Sequence, residues 1–391
     1  MKIREDFLAY CKPCYGQEEL DGVIDALKSG WWSKGPKVIE FEKKFAESIG
    51  VKHAIALNSC TAGLFLGLMA HNVGPGDEVI TTPMTFCATA NTIVHCGATP
   101  VFADVDPQTG LIDPKEIEKK ITPRTKGIVP VHYAGRACDM DSINAIAKKH
   151  GLFVMEDAAH GVYTTYANGK AVGNCDNITS FSFYATKNLA TGEGGMVTTN
   201  DDALFERLQV LSLHGMSKGA WNRFSAAGSW RYDVVEAGYK YNMTDSAAAL
   251  GLAQLNRLED MQAKRKEYAE MYNEAFKDIP GIDVLPDSQW GRNAWHLYML
   301  KVKPNGLRLC RDKFIRILNE EYKIGTSVHY IPVPMHPFYR INFGTRKGDY
   351  PCCERLYSQI LSLPLYPSMT KEDVTYVCEA VREIASRFSK K

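Results

Sequence analysis

The run ITSFSFYATKNLATGEGG, from Ile178 to Gly195, sets one lysine, Lys187, between an apolar strand and a glycine-rich turn. Ile178 to Tyr184 alternates apolar with small polar residues, the period of a strand with one buried face, and Ser182 and Lys187 follow into the tight segment that ends it. An amine held in a partly dry pocket can lose its proton near neutral pH and attack a carbonyl. Lys187 is therefore a candidate Schiff-base former, the plain alternative being a solvated lysine after a strand.

Upstream, strand and helix patterns alternate at the spacing of parallel crossovers. Strands are predicted at His53 to Ser59, Glu78 to Thr81, Thr99 to Asp104, Lys126 to His132 and Leu152 to Asp157, with helices between them, which predicts an α/β fold built on a mostly parallel central sheet. Ligands of such sheets sit beyond the carboxyl ends of the strands, so Ser59 to Thr61, Phe86, His132, Asp157, His160, Ser182 and Lys187 are the residues to inspect. Cys60 to Gly63 reads as a small-residue turn that opens an apolar helix from Leu64 and points free N–H groups at one spot, a phosphate site. Leu152 to Asp157 is a nearly continuous apolar strand ending in acid. It carries the Asp157 carboxylate to the lip of the sheet, where a buried charge needs a partner, either an arginine or a protonated ring nitrogen of a cofactor.

Before this series, residues 15–49 show two amphipathic helices, the first with Leu20, Val23, Ile24 and Leu27 on one face, separated by a turn containing Trp31 and Trp32 that is either a packed loop or a substrate-facing one. After it come a strand (Met196 to Thr199), a helix (Ala203 to His214) and a long irregular stretch, Gly215 to Asn242, with Trp221, Trp230 and Lys240. A loop this long is usually functional or lies at a subunit contact. A broken helical pattern from Thr244 to Ile279 joins this part to a smaller α+β region with strands at Trp295 to Val302 and Thr326 to Tyr330 and helices at Cys310 to Glu321, Pro351 to Ile360 and Lys371 to Phe388. Two domains are expected, residues 1–250 and 251–391.

The formal net charge of +1 over 391 residues, with no basic or acidic block, argues against nucleic acid or an anionic membrane surface. The first ten residues carry charges where a signal peptide needs an apolar core, and no apolar run approaches a membrane span, so a cytoplasmic location is expected. The eleven cysteines are scattered, and Cys11 and Cys14 have no second pair to complete a zinc site, so no metal is expected.

A phosphate at Thr61 and the Ser182 hydroxyl, a ring nitrogen against Asp157 and an aldehyde carbon on Lys187 together describe pyridoxal 5'-phosphate. His160 would lie near its ring face or phenolic oxygen, and Phe86 can stack on the other face.

The same residues, with SGW at 29–31, GP at 35–36, SCTAG at 59–63, GDEVI at 76–80, PVHYAG at 130–135, EDAAH at 156–160, GEGG at 192–195 and the pair His329 and Tyr330 with Pro332, resemble the DegT/StrS-type nucleotide-sugar aminotransferases over nearly the whole chain. The resemblance implies fold type I of the pyridoxal-phosphate enzymes, the aspartate-aminotransferase-like fold, and transfer of an amino group from glutamate to a keto-sugar nucleotide. It implies Lys187 as the Schiff-base lysine, Asp157 at the pyridine nitrogen, Ser182 with the Cys60–Thr61 backbone at the phosphate, and a homodimer with a shared site. Where the family pattern usually reads GYNYR, this chain has GYKYN, with Lys240 for the asparagine and Asn242 for the arginine. The asparagine position usually reaches the neighbouring subunit's phosphate, and Lys240 can do so as a point charge. This variant, with His160, resembles the branch that makes UDP-4-amino-4-deoxy-L-arabinose and points to C4 of a UDP- or dTDP-linked 4-keto sugar. Trp31, His329, Tyr330 and the 215–242 loop are expected to meet the substrate. Amination at C3 and a non-catalytic pyridoxal-phosphate regulator are the alternatives, while a 3-dehydratase of this fold would carry histidine at the position of Lys187.

Overall fold

Seven short strands, most of them delivered by a preceding helix, form one sheet in the computed structural model of the chain, which describes residues 2–216 and 232–390. They are β1 (His53–Leu57), β2 (Glu78–Thr81), β3 (Thr99–Phe102), β4 (Thr125–Val129), β5 (Phe153–Ala158), β6 (Ile178–Ser182) and β7 (Gly195–Thr199), in the order β1-β7-β6-β5-β4-β2-β3. From β3 through β6 every neighbouring pair is parallel, and β7 runs antiparallel to both β6 and β1. The mostly parallel α/β sheet expected from the alternating pattern is thus present. Helices α1 (Gln17–Lys28) and α2 (Pro36–Ile49) precede it. Helices α3 (Cys60–Ala70), α4 (Cys87–His95), α5 (Pro114–Lys120) and α6 (Met140–His150) connect its parallel strands, and α7 (Asp202–Ser212) follows β7.

The period of two along a strand decides what faces the site. On β6 the side chains of Thr179, Phe181 and Phe183 point one way, and Phe181 and Phe183 meet Phe41 and Phe45 of α2 at ring-centroid distances of 5.3 to 5.6 Å. Fully burying each such ring is worth about 1.5–3 kcal/mol. Ser180 and Ser182 point the other way, toward α3, where a Cβ on Gly63 would come within 2.3 Å of the Ser180 hydroxyl. Met155 and Asp157 of β5 share that face, Met155 lying against Gly67 of α3.

Cys60 to Gly63 is the first turn of α3 and not a separate turn, because Ser59 caps the helix, its Oγ accepting from the Ala62 N–H at 3.1 Å. The face of α1 that carries Leu20, Ile24 and Leu27 is exposed; the helix packs against α8 (Asp245–Asn256) through Glu19 and Ala26 instead. Buried Glu19 is held by Arg257 at 2.7 Å and by Gln254 at 2.7 Å, so its charge is not orphaned.

Helix α9 (Leu258–Phe276) starts after a break at Arg257 and packs on a three-stranded antiparallel sheet of β8 (Ile282–Val284), β9 (Tyr298–Val302) and β10 (Ile360–Leu363), with α10 (Arg311–Glu320) and α13 (Lys371–Arg387) completing a second core. A division at residue 250 would cut α8, whose Ala248 and Leu252 belong to the larger core; Leu258 and Met261 of α9 still lie in that core, and the chain enters the smaller one from Tyr268. Leu8 lies in the smaller core and bridges Ile324, so the first residues belong with the second unit. Helices α11 (Pro337–Phe343) and α12 (Pro351–Gln359) bury Tyr339, Cys353 and Leu356 in the larger core. Thr326 to Tyr330, expected as a strand, makes one isolated bridge, Ser327 to Ser362, and is otherwise irregular. Among the described residues no helix is long and apolar enough to cross a membrane.

Candidate active site

A cavity of about 510 Å³ opens beyond the carboxyl ends of β1, β5 and β6. At one end stands the amino terminus of α3. Its Cys60 and Thr61 N–H groups find no acceptor among the described residues, and the helix dipole adds partial positive charge there. The helix sits this close to the sheet because β7 begins with Gly195, where any Cβ would come within 2.5 Å of the Cys60 nitrogen. That close approach explains the glycine at position 195. Ser182 also lines this end, and its hydroxyl accepts only a long 3.4 Å contact from the Tyr184 N–H, which leaves its proton for a ligand.

Asp157 forms the floor. Its carboxylate is 3% exposed and accepts from the Thr89 hydroxyl at 2.7 Å and the Ala159 N–H at 3.0 Å, with no ion pair among the described residues. Burial raises its pKa, outweighing the Thr89 and Ala159 bonds and the charge of Lys187. Among the described residues no arginine lines the cavity and no cation is bonded to this carboxylate. A protonated ring nitrogen fits the vacancy in charge.

Lys187 follows a turn closed by its own N–H on the Tyr184 carbonyl at 2.8 Å. Its side chain is partly exposed only because it borders the cavity, and its Nζ makes no hydrogen bond or ion pair among the described residues. Burial, opposed by nearby Cys60, Asp157 and Cys11, pushes its pKa down to about 8 from the ordinary 10.5. Lowering the pKa of an amine lengthens the range over which it is neutral. At pH 7 about one amine in ten is unprotonated, against roughly three in ten thousand for an ordinary lysine. Labelling of Lys187 in the cofactor-free protein by a small acylating reagent, followed by peptide mass spectrometry, should therefore rise with pH and level off above about 8. A rate still climbing toward 10.5 would show the amine to be solvated.

The wall opposite is made of rings. The Nδ1 of His160 accepts the Ala134 N–H at 3.1 Å, which leaves the proton on Nε2 to donate to the Tyr330 hydroxyl at 2.9 Å. Asn188 donates to the Ala294 carbonyl, so its Oδ1 accepts from Nδ1 of His296, and the Nε2 of His296 is left as an acceptor. The two imidazoles lie 4.3 Å apart. Burial first, then Lys187, holds the His160 pKa well below the usual histidine value, and burial also keeps His296 neutral. His329, pushed down to about 4 by burial, is fixed by Ser362 at 2.8 Å.

Of the residues singled out from sequence, Lys187, Asp157, Ser182, Cys60, Thr61, Phe86, His160, His329 and Tyr330 line this one cavity. Phe86 stands exposed at the mouth with its ring 6.0 Å from that of Tyr330. Trp31, His132, Lys240 and Asn242 do not line it. Trp31 lies against Gly35 in the connection between α1 and α2, which Asp245 ties to the start of α2. Lys240 donates to Asn242 at 2.5 Å on the segment bridged to β1 through Leu57, outside the cavity of its own chain. Trp221 and Trp230 lie outside the described residues. His132 is fully buried and donates to Glu156 at 2.7 Å, a core contact away from the ligand side of the sheet. Sequence reasoning missed Thr89, His296, Tyr10 and Cys11, which also line the cavity. Only Thr89, one turn past Phe86 on α4, carried a local signal, its place in a helix crossing the end of β5.

Residues 13–382 match the DegT/DnrJ/EryC1/StrS aminotransferase family. The chain is 57% identical over 381 residues to the spore coat polysaccharide biosynthesis protein SpsC of Bacillus subtilis, covering 97% of this chain and 98% of that one. Among solved structures it is similar to the putative sugar aminotransferase Spr1654 from Streptococcus pneumoniae in its PMP form (TM-score 0.90, 34% identity, 97% and 99% covered), known also in a PLP form. It is likewise similar to Helicobacter pylori PseC, an aminotransferase involved in the biosynthesis of pseudoaminic acid (TM-score 0.89, 32% identity, 98% and 100% covered).

Proposed function

The chain belongs to the DegT/DnrJ/EryC1/StrS aminotransferase family, and from that premise we propose that this pyridoxal-phosphate-dependent sugar aminotransferase takes its amino group from glutamate and places it on C4 of a UDP- or dTDP-linked 4-keto sugar. The observation that carries this reading is one cavity in which an unpaired, desolvated amine at Lys187 and a buried carboxylate at Asp157 without a cation face the same space.

When bound, pyridoxal phosphate supplies an electron-poor ring that accepts the electron pair left by C–H cleavage. Lys187 would hold it through its aldehyde carbon, and its Nζ, an amine with its pKa pushed down to about 8, could carry a proton between neighbouring carbon atoms. Asp157, aimed by Thr89 and the Ala159 N–H, keeps the ring nitrogen protonated. The α3 terminus and Ser182 hold the phosphate. His160 passes its Nε2 proton toward Tyr330 and so orients that hydroxyl toward the ring's oxygen or the sugar.

A phosphate dianion calls for a cation beyond Lys187, and among the described residues no other lysine or arginine lines the cavity. Lys240 from a second copy of the chain would supply it, with Asn242 beside it, in a homodimer whose subunits share the site. The exposed Leu20, Ile24 and Leu27 of α1, with exposed Trp31 and Trp32 following, offer apolar surface for that contact. The amination at C4 rests on the Lys240 and Asn242 variant and on His160 in the ring wall. SpsC, whose name places it in polysaccharide biosynthesis, supports a sugar acceptor of this kind.

The test supplies cofactor-loaded enzyme and glutamate with the 4-keto and, separately, the 3-keto isomer of a UDP-sugar and of a dTDP-sugar, and locates the new amine by NMR. Product from a 4-keto isomer alone is expected. Product from a 3-keto isomer alone would overturn the assignment.

A further inference from the structure

A second cleft, of about 480 Å³, lies where the Pro107–Gln108 turn after β3 and helix α12 of the larger unit meet β8 and β9 of the smaller one. Lys301 of β9 lines it and is only 9% exposed, yet among the described residues no carboxylate lies within ion-pair distance of its amine. Its one hydrogen bond, to the Gln108 carbonyl, is stretched to 3.5 Å. Asp283, directly across the strand pair, is engaged by Lys303 instead. Arg355, on α12, reaches the same cleft with no hydrogen bond or ion pair to its guanidinium among the described residues, and Gln359 lies one turn further along. Burial lowers the Lys301 pKa; Asp283 and Asp106 raise it, and Lys303 and Arg136 add to the lowering. A lysine nine-tenths buried as a residue and a guanidinium without a partner among the described residues face one space and lack the anion that would satisfy both.

We propose that this cleft is an anion site for a phosphate group, with Lys301 and Arg355 as its cationic walls. The guanidinium fork matches two phosphate oxygens, and the ammonium supplies a point charge to a third. The cleft is larger than one phosphate, so the group can be free or carried on a nucleotide. Its walls come from both units, and an anion bridging them stabilises their contact by mass action.

The experiment titrates the cofactor-loaded enzyme, whose own phosphate cradle is filled, with inorganic phosphate and, separately, with uridine diphosphate by calorimetry. Phosphate is expected to bind one site per chain, and Lys301→Met and Arg355→Gln each to raise its dissociation constant at least about tenfold, with turnover in phosphate-free buffer unchanged. Diphosphate binding weakened by the same substitutions identifies a nucleotide as the source, and weakening confined to phosphate identifies the free anion. Arg355 is exposed, so its substitution leaves the fold intact and decides the matter should Lys301→Met fold poorly. Absence of phosphate binding, or binding that neither substitution weakens, overturns the proposal.

Discussion

Lys187→Ala is expected to lower amino transfer by at least about 10³-fold, because one side chain both binds the cofactor aldehyde and moves the proton, and proton transfer alone contributes about 10²–10⁴-fold. The fold should survive. An amine whose folded pKa is depressed to about 8 destabilises the folded protein wherever it is charged, below that pH, and this cost vanishes above the unfolded value near 10.5. Deleting the side chain removes that cost and enlarges a cavity that already exists, so the melting temperature should change little. A single-turnover assay with the keto sugar, beside a thermal melt, separates the two effects. Retained turnover would place the proton transfer on another group, and His296, whose Nε2 is an open acceptor on the cavity wall, would be the first to examine.

Asp157→Asn should cost the next largest amount. The amide keeps the shape of the carboxylate, but Thr89 and the Ala159 N–H donate to different oxygens, so its single oxygen keeps one of these bonds and what is lost is the negative charge and one acceptor. Losing one preorganised electrostatic contact to the reacting system costs about 2.7–4 kcal/mol of barrier, a fall of about 10²–10³-fold in turnover. Cofactor should remain bound through Lys187 and the phosphate cradle, leaving the visible absorbance in place while the rate falls. Equal loss of absorbance and rate would mean that Asp157 mainly shapes the pocket.

How much of this was legible beforehand follows from how local each signal is. The strands up to β5 could be read because each is a short apolar run followed by a helix, and Asp157 could be singled out because an acid closes the most apolar of them. The helix after β1 was legible from Leu64 onward, but its first turn, Cys60 to Gly63, has the small residues of a loop, and the Ser59 cap that makes it helical is a hydrogen bond rather than a pattern. β8 is three residues long, and β10 follows α12 without a turn residue, so neither interrupts the pattern around it. Thr326 to Tyr330 has the composition of a strand but only a single-bridge partner. Leu20, Ile24 and Leu27 have helical spacing, which marks an apolar face without saying whether the same chain covers it. Thr89, Tyr10 and His296 reach the cavity from α4, the amino-terminal segment and the approach to β9. Their convergence is a property of the packed chain, and no spacing within the sequence encodes it.

The central claim is that the Nζ of Lys187 is the atom that takes the cofactor's aldehyde carbon. Reducing the cofactor-loaded enzyme with borohydride and mapping its peptides by mass spectrometry tests it directly. The account predicts a single pyridoxyl-phosphate adduct, on the peptide bearing Lys187; an adduct on another lysine, with Lys187 unmodified, would contradict it.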